Sequence, residues 1–536
     1  MSDAAMPLAR EAQVAQIMDW LGQHGLGAAR LQADSRQVGA GDVFIAMPGV
    51  DAARSADGRQ YIEQALRQGA AAMIVEAAGW PQGFAAGAQA AQRAAVPVMA
   101  VSQLRAVSAA LAARFYDEPS RKLRTVAVTG TNGKTSCTHW IAQGLSLAGQ
   151  RAAVVGTLGC GFPGQELPWQ TGLTTPDAIA LQGVLHALLA QQARAVALEA
   201  SSIGLAQGRL EGMHLDVAVL TNLTRDHLDY HGDMAAYEAA KTKLFDWPSL
   251  SAAVINLDDG LGQRLLARLR GRSDEGNFKL LGTTLTQPLP PWPVGLTARF
   301  SAQDIAVAPA GMHLRVCFEE PGHAMQSVAL SLPLVGRFNV ANVLSVFAAW
   351  YALDIGLHEA ASLAAQLEAP AGRMQLIEQA GAPLVVVDYA HTPDALTAAL
   401  AALRPLAQVR QGLLWVMFGC GGGRDRGKRA LMGQAAGAAD QMVITSDNPR
   451  DEQPEAIIDD IAAGVDAQAV ANGCCVRITD RGQAIDQTIG RAAVADVILL
   501  AGKGHEAYQE VRGLRHAFSD AQRARAALAA RGQQRP

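Results

Sequence analysis

The sequence predicts an α/β protein in three domains, with parallel sheets in the second and third. Apolar runs alternate with Ala-rich helical stretches along most of the chain. That is the pattern of repeated βα units whose strands are buried on both faces. The length, 536 residues, exceeds what one core serves at ~150 residues per domain. In the last third, each apolar run ends in a polar, glycine-bearing or charged loop. Open parallel sheets gather ligands at those strand ends.

The elements follow in order. Block one, residues 1–122, carries strand-like "DVFIAMPG" (42–49), "AAMIVEA" (71–77) and "VPVMAV" (96–101), separated by helical segments. Block two, residues 123–366, opens on "RTVAV" and continues through "RAAVVG", "AVALEA", "VAVLTNLT" and "AAVINLDD". A stretch rich in Gly, Pro and Thr follows, then "HLRVCF", "SVALSLPLVG" and a long apolar helix from Asn339. Block three, residues 367–536, starts at "LEAPAGRMQLIEQ", where Pro370 and Gly372 read as a linker. Its strands run into "DYAHTPDA", "FGCGGGRD", "TSDNPRD" and "AGKGHE".

Half of the residues are apolar and 18% are charged, the composition of a globular enzyme. A formal net charge of −4 offers no general attraction for nucleic acid or anionic lipid, so an anionic substrate needs local Arg and Lys. The six cysteines lack metal-ligand spacing and read as reduced thiols. The N-terminus has early acidic residues and no apolar segment, so no signal peptide is expected. No apolar run reaches the ~18 residues of a membrane span. A cytoplasmic protein is expected.

The chemistry begins at "VAVTGTNGKTSCTHW", residues 126–140: a buried strand, a glycine turn and the first turns of a helix. Backbone N–H groups of Gly130, Thr131, Asn132 and Gly133 at a helix N-terminus suit phosphate oxygens. Lys134 suits the β/γ-phosphates and the Thr135 hydroxyl suits Mg²⁺. Only Thr131 and Asn132 separate the two glycines, shorter than G-x-x-x-x-G-K-[ST]. Glu199 ends the strand in "VALEASS"; it reads as a ligand for a hard cation or as a solvated strand end. In "TNLTRDHLDYHG", Asp226, His227, Asp229 and His231 read as metal ligands or as helix caps. Lys241, further along in a helical stretch, reads from spacing alone as an ordinary surface lysine. "SDNPRDE" and "GGGRDRGKR" bring Arg424 and Arg450 to one sheet edge, where guanidinium forks suit a small carboxylic acid.

Seven motifs occur in order: "TGTNGKT", "TNLTRDHLDYHG" with "YEAAK", "GRFNVANVL", "DYAHTPDAL", "GCGGGRDRGKR", "DNPR" and "GKGHE". Together with "DSRQVGAGDVFIAMPG" near the start they resemble the ATP-dependent Mur ligase family, in its diaminopimelate-adding branch. The likeness spans nearly the whole chain, and the short glycine spacing is the family's own.

The resemblance implies an N-terminal UDP-binding α/β domain, a central phosphate-loop ATPase domain and a C-terminal Rossmann-like domain. It implies transfer of the ATP γ-phosphate to the D-Glu side-chain carboxyl of UDP-N-acetylmuramoyl-L-alanyl-D-glutamate. The resulting acyl phosphate is attacked by meso-diaminopimelate, releasing phosphate. Lys134, Lys241, His227 and Glu199 are the implied catalytic set. Thr135, Glu199, His227 and Lys241 would serve two Mg²⁺ ions, with Lys241 carbamylated by CO₂ to N6-carboxylysine, since an ammonium would repel the metal. ATP would contact Gly130, Thr131, Asn132, Gly133, Lys134, Thr135 and Ser136, and on its adenosine side Asn339, Arg373, His391 and Asp394. The UDP-sugar dipeptide would meet Ala33, Ser35, Arg54, Ser55 and Ala56, then Leu173, Thr174, Thr175, Ser201, Gln207 and Arg209. Diaminopimelate would meet Arg424, Asp447, Asn448, Pro449, Arg450, Gly502 and Glu506, with Arg450 reading the carboxylate that lysine lacks. A monomer is expected, with no nucleic-acid partner and no membrane insertion. Two residues depart from the family pattern: Ile203 where many relatives carry His, and Leu173 where Asn is common. A lysine-adding ligase is the nearest rival, and the Arg of "DNPR" speaks against it. Folylpolyglutamate synthetase shares the phosphate loop without explaining that motif.

Overall fold

In a computed structural model, residues 5–50, 56–274, 278–309 and 311–533 are described. Arg54 and Ser55 fall outside them. The chain forms two compact units, the first of residues 1–281 with 293–296, the second of residues 282–292 with 297–536.

The first unit contains two sheets. Strands Leu31–Gln32, Val43–Ala46, Ala72–Glu76 and Val98–Val101 pair in parallel in chain order. Both faces of this sheet are apolar: Val43, Ile45 and Ile74 pack on one side, Phe44, Ala46 and Met73 on the other. Alternating residues of one strand thus reach opposite cores, as the two-residue period of a strand requires.

In the second sheet of this unit, strand Arg124–Thr129 lies between Ala195–Glu199 and Val217–Leu220. Ala152–Gly156 pairs parallel to Ala195–Glu199, and Ala252–Asn256 to Val217–Leu220. The strand that opens the block is therefore flanked by strands arriving later from both sides. That topology leaves a crevice at its C-terminal end, where the chain turns into helix Lys134–Leu147.

The second unit combines an antiparallel meander with a six-stranded sheet. Strands Ala298–Ala308, Gly311–Glu319 and Gln326–Leu332 pair antiparallel. Phe300 and Phe318 pack with Phe347 and Tyr351 of helix Arg337–Ala352. The six-stranded sheet runs Gln375–Ile377, Leu384–Asp388, Val497–Ala501, Leu414–Phe418, Gln441–Ile444, Cys475–Arg477, parallel except at its first edge. Its two faces bury separate cores, with Val386, Val416 and Leu499 on one and Val387, Met417 and Leu500 on the other. Beyond the last parallel strand, a hairpin of Tyr508–Val511 and Leu514–Ala517 folds back on itself. Gly372 takes φ +65°, and a side chain there would come within 2.1 Å of the Gly504 backbone. The expected linker glycine therefore packs against the "GKGHE" loop.

Candidate active site

The phosphate-loop end of the first unit is built on strand ends. Gly130 takes φ +146°, and a Cβ at this position would lie 1.9 Å from the Thr221 hydroxyl oxygen, so only glycine fits. The loop is stitched to "TNLT": Thr131 N donates to Asn222 O at 2.9 Å, Asn132 N to Asn222 Oδ1 at 3.0 Å, and Thr221 Oγ1 to Asn132 O at 2.6 Å. Lys134 Nζ donates to the Gly130 and Thr131 carbonyls, each at 2.9 Å. Ser136 follows in the helix's first turn.

Glu199, 1% exposed, is the buried end of its strand rather than a solvated one. Its Oε1 accepts from Thr135 Oγ1 at 3.0 Å and from Thr157 N at 2.8 Å. Adjacent oxygens on a Mg²⁺ with bonds of about 2.1 Å at right angles sit about 3.0 Å apart, so this hydroxyl–carboxylate pair fits that ion. Thr157 escaped the sequence reading, although it directly follows the strand "AAVVG".

Lys241 is buried, 1% exposed, on helix Met234–Thr242. Its ammonium donates to Gly130 O at 2.7 Å and stands 4.5 Å from the Tyr237 ring centre. Among the described residues it has no carboxylate in ion-pair range. Burial first, then the charge of Lys134, push its pKa down to about 6, with Asp226 opposing. An ammonium does not suit a cation site, whereas a carbamate would supply an anionic oxygen there. His227 lies beside the same tyrosine, ring centres 6.3 Å apart, with Nε2 3.6 Å from Asp226 Oδ2. Asp226, His227, Asp229 and His231 do not converge, and no group of three or more His, Cys, Asp or Glu among the described residues is disposed to hold a metal. His231 is engaged elsewhere, with Nε2 3.0 Å from Ser202 Oγ.

A cavity of about 1100 Å³ in this unit is lined by Ala33, Ser35, Ala56, Leu173, Gln207 and Arg209, among others. Arg209 Nη1 donates to Thr175 O at 2.7 Å, and its Nε and Nη2 both donate to Gln207 Oε1. Thr174 and Thr175 sit behind the wall. Thr174 Oγ1 accepts from Thr157 at 3.1 Å, while Thr175 Oγ1 donates to Glu199 O at 2.7 Å and accepts from Ser201 N at 2.9 Å. The hydroxyl network thus links the cavity to the phosphate-loop carboxylate. Leu173 faces the cavity, and Ile203 lies in the short helix capped by Ser201. Asp177 and Arg105 also line it; Asp177 closes "GLTTPD" behind Thr174 and Thr175 without being singled out, and Arg105 stood in no motif.

The remaining residues belong to the second unit. Asn339 is buried in the first turn of its helix and donates to Val335 O at 2.8 Å. The Arg373 guanidinium stands 5.1 Å from the Tyr389 ring centre. His391 Nδ1 is 2.9 Å from Tyr389 O, and Asp394 is in the first turn of helix Pro393–Arg410.

The "DNPR" loop meets "GKGHE" through a buried cation that the motif reading passed over. Lys503 Nζ donates to Glu506 Oε2 at 3.0 Å and Asn448 Oδ1 at 3.2 Å, and lies 3.7 Å from Asp447 Oδ1. Asn448 Nδ2 donates to Glu506 Oε2 at 2.8 Å. Glu506 is held below the usual carboxylate range by Lys503 and Asn448, against burial as the largest influence. A Cβ on Gly502 would stand 3.1 Å from Asp447 Oδ2, which keeps that position small. Arg450, after Pro449, takes φ +52°, and its Nη1 donates to Gly422 O at 2.6 Å. A Cβ on Gly421 would meet Arg450 Nη1 at 3.1 Å and Arg424 Cγ at 3.7 Å, so both arginines border one glycine.

A phosphate loop beside a buried carboxylate, and a separate loop of converging acid and base groups, suit a nucleotide-dependent enzyme, and comparison with known proteins makes that class a ligase. The Mur ligase middle domain matches residues 128–350, the Mur ligase glutamate ligase domain residues 372–504, and the Mur ligase family catalytic domain residues 29–116. A protein of Janthinobacterium sp. (strain Marseille) named UDP-N-acetylmuramoyl-L-alanyl-D-glutamate–2,6-diaminopimelate ligase is 47% identical over 523 residues, 97% of each chain. One of the same name from Pseudomonas putida is 47% identical over 508 residues, 93% of this chain and 95% of that one. A solved structure of that name is similar with a TM-score of 0.64 at 37% identity, covering 94% of this chain and 95% of that one. The chain belongs to the Mur ligase family.

Proposed function

We infer that the protein is the ATP-dependent ligase that joins meso-diaminopimelate to the D-Glu side-chain carboxyl of UDP-N-acetylmuramoyl-L-alanyl-D-glutamate. The observation that carries this reading is 47% identity to proteins of that name over nearly the full length of both chains. The reaction belongs to the making of peptidoglycan precursors in the cytoplasm, by a monomer. No helix among the described residues is long and apolar enough to cross a membrane. Residues 1–122 would take the UDP moiety, 123–366 the ATP and 367–536 the amine.

A carboxylate resists amine attack until one oxygen becomes a leaving group. Transfer of the γ-phosphate to the D-Glu carboxylate, with release of ADP, makes an acyl phosphate. The amine nitrogen then attacks the carbonyl carbon, loses a proton and expels phosphate to leave an amide. The chain's part is positioning and charge neutralisation. The Gly130–Thr135 loop presents N–H donors, and Lys134 balances phosphate charge. Arg209, at the cavity end nearest Thr175, orients the peptide carboxylate. Thr135, Glu199, His227 and carbamylated Lys241 would hold two Mg²⁺ ions, which supply charge stabilisation to the transferring phosphoryl group. The low pKa of Lys241 supports the modification, because only a neutral amine adds to CO₂. Asn339, Arg373, His391 and Asp394 would contact the adenosine. Arg424, Asp447, Asn448, Pro449, Arg450, Gly502 and Glu506 would form the amine pocket, acids for the ammonium and arginines for the distal carboxylate.

The test is phosphate release from ATP and Mg²⁺ with the UDP-linked dipeptide, comparing meso-diaminopimelate with L-lysine. Release that depends on diaminopimelate, with lysine near background, is expected. Equal use of lysine would remove the role given to Arg450, and release indifferent to any amine would remove the ligase reading.

A further inference from the structure

We propose that the hairpin Tyr508–Ala517 is the selectivity bracket of the amine pocket, and that Glu510 is a positioning residue that aims Arg450. The inference rests on the diaminopimelate reading of that pocket. None of the pocket motifs includes the hairpin, yet it holds three of the four "DNPR" residues. Gln509 Nε2 donates to Asp447 O at 2.6 Å, and Glu510 N donates to Asn448 Oδ1 at 2.9 Å. Arg450 N donates to Glu510 O at 3.1 Å, and Arg512 N donates to Arg450 O at 2.8 Å. Arg450 therefore bridges to Val511 as a one-residue strand pairing.

That pairing explains how a non-glycine residue stays at φ +52°. Left-handed backbone at such a side chain costs about 1 kcal/mol or more and persists only where its surroundings over-determine it. Main-chain bonds on both sides of Arg450 do so. The side chain is fixed as well. Nη1 donates to Gly422 O, and Nε lies 3.6 Å from Glu510 Oε2. Both partners of that ion pair are about a quarter exposed. The second terminal nitrogen, Nη2, has no bond to a described residue, so the fork is held by two of its edges with one left for an incoming carboxylate. A guanidinium held in this way spends less rotamer entropy on binding.

The aimed arginine therefore favours diaminopimelate without any contact that repels lysine. Lysine has no distal carboxylate, so it cannot satisfy the aimed arginine. In its presence the Arg450–Glu510 pair stays as it is and contributes nothing to binding.

The experiment compares wild type, Glu510→Gln, Glu510→Asp and Arg450→Lys in steady-state phosphate release with the UDP-linked dipeptide. Diaminopimelate and lysine serve as alternative amines, and ATP is varied separately. Glu510→Gln is expected to raise the KM for diaminopimelate about fivefold to tenfold, the effect of one lost charge-assisted contact. The KM for ATP and the thermal midpoint should stay near wild type. Glu510→Asp should recover part of the loss, which a merely structural role would not produce. An unchanged diaminopimelate KM in Glu510→Gln, while wild type still rejects lysine, would overturn the bracket and leave the pocket reading intact. A wild type that accepts lysine equally would overturn the pocket reading itself. Should Glu510→Gln unfold, Gln509→Ala supplies the same test through Asp447, with the same outcomes.

Discussion

Two lysines are buried among the described residues, and they are treated in opposite ways. Lys503, in the second unit, is fully buried and faces Glu506, Asp447 and Asn448 within 3.7 Å. Lys241, in the first, is as buried but has a backbone carbonyl, an aromatic face and another lysine for company. A compensated buried charge holds a structure together. An uncompensated one gives up its proton, and Lys241 does so with a pKa near 6. On the proposed function, the difference separates a lysine kept for architecture from one kept for chemistry.

The largest effect should come from removing the second kind. Lys241→Met is expected to lower kcat by about 10²–10³, the cost of deleting one electrostatic stabiliser of a transferring group. Its folding stability should be unchanged or higher, because a buried amine that folding forces to shed its proton has been replaced by an apolar chain. Phosphate-release kinetics and urea melts on one preparation check both halves. Loss of stability alongside activity would erase the distinction between the two lysines.

Lys503→Met should do the reverse, losing about 3–5 kcal/mol of stability as Glu506 and Asp447 are left without their cation. Urea unfolding measures this directly. A variant as stable as wild type would mean that the acids repack or protonate at little cost, and Lys503 would no longer serve as the contrast.

How much of this was open to sequence reading differs between the two ends. The phosphate loop was legible because strand, glycines, Lys134 and helix are contiguous, and local spacing dictates where each group points. The strands of the six-stranded sheet were legible for the same reason, through unbroken apolar runs. Lys241 was legible only through the family resemblance, since a lysine on a helix carries no mark of burial; its environment comes from Gly130, 111 positions away. Lys503 sat in plain view within "GKGHE", but its partners Asp447 and Asn448 arrive from another strand end. The hairpin's hold on Arg450 is long-range too, and backbone φ leaves no trace in a residue that is not glycine. The departures at Leu173 and Ile203 find a place but no compensating contact.

Arg450→Lys sharpens the contrast between a fork and a point charge. Charge is kept, but the planar donors that meet a carboxylate at two points are lost. The kcat/KM for diaminopimelate should fall about tenfold to hundredfold, since one charge-assisted hydrogen bond contributes about 1.5–3 kcal/mol. The value for ATP at saturating amine should not move. Amine-dependence curves for wild type and variant settle it, and equal curves would assign the carboxylate to Arg424 instead.

The smallest effect per step concerns a third nitrogen base that resembles Lys241 while standing next to Lys503. His505 packs against Tyr389, ring centres 5.2 Å apart, and its Nδ1 is buried without a hydrogen-bond partner. Burial first, then Arg373, push its pKa down to about 4, with Glu506 opposing. The unfolded chain takes up this proton near pH 6.5, and the folded chain resists until about pH 4. Protons therefore favour the unfolded state between those values. The stability contributed by neutral His505 is complete above pH 6.5 and is lost as pH falls toward 4, with a slope approaching about 1.4 kcal/mol per pH unit. Carboxylates titrate in part of the same window, so the measurement is a difference. Urea midpoints of wild type and His505→Gln from pH 7.5 to 4 should converge as the pH drops, because the variant lacks this proton. Parallel curves would place His505 with the compensated groups, and the uncompensated nitrogen would then be a feature of Lys241 alone.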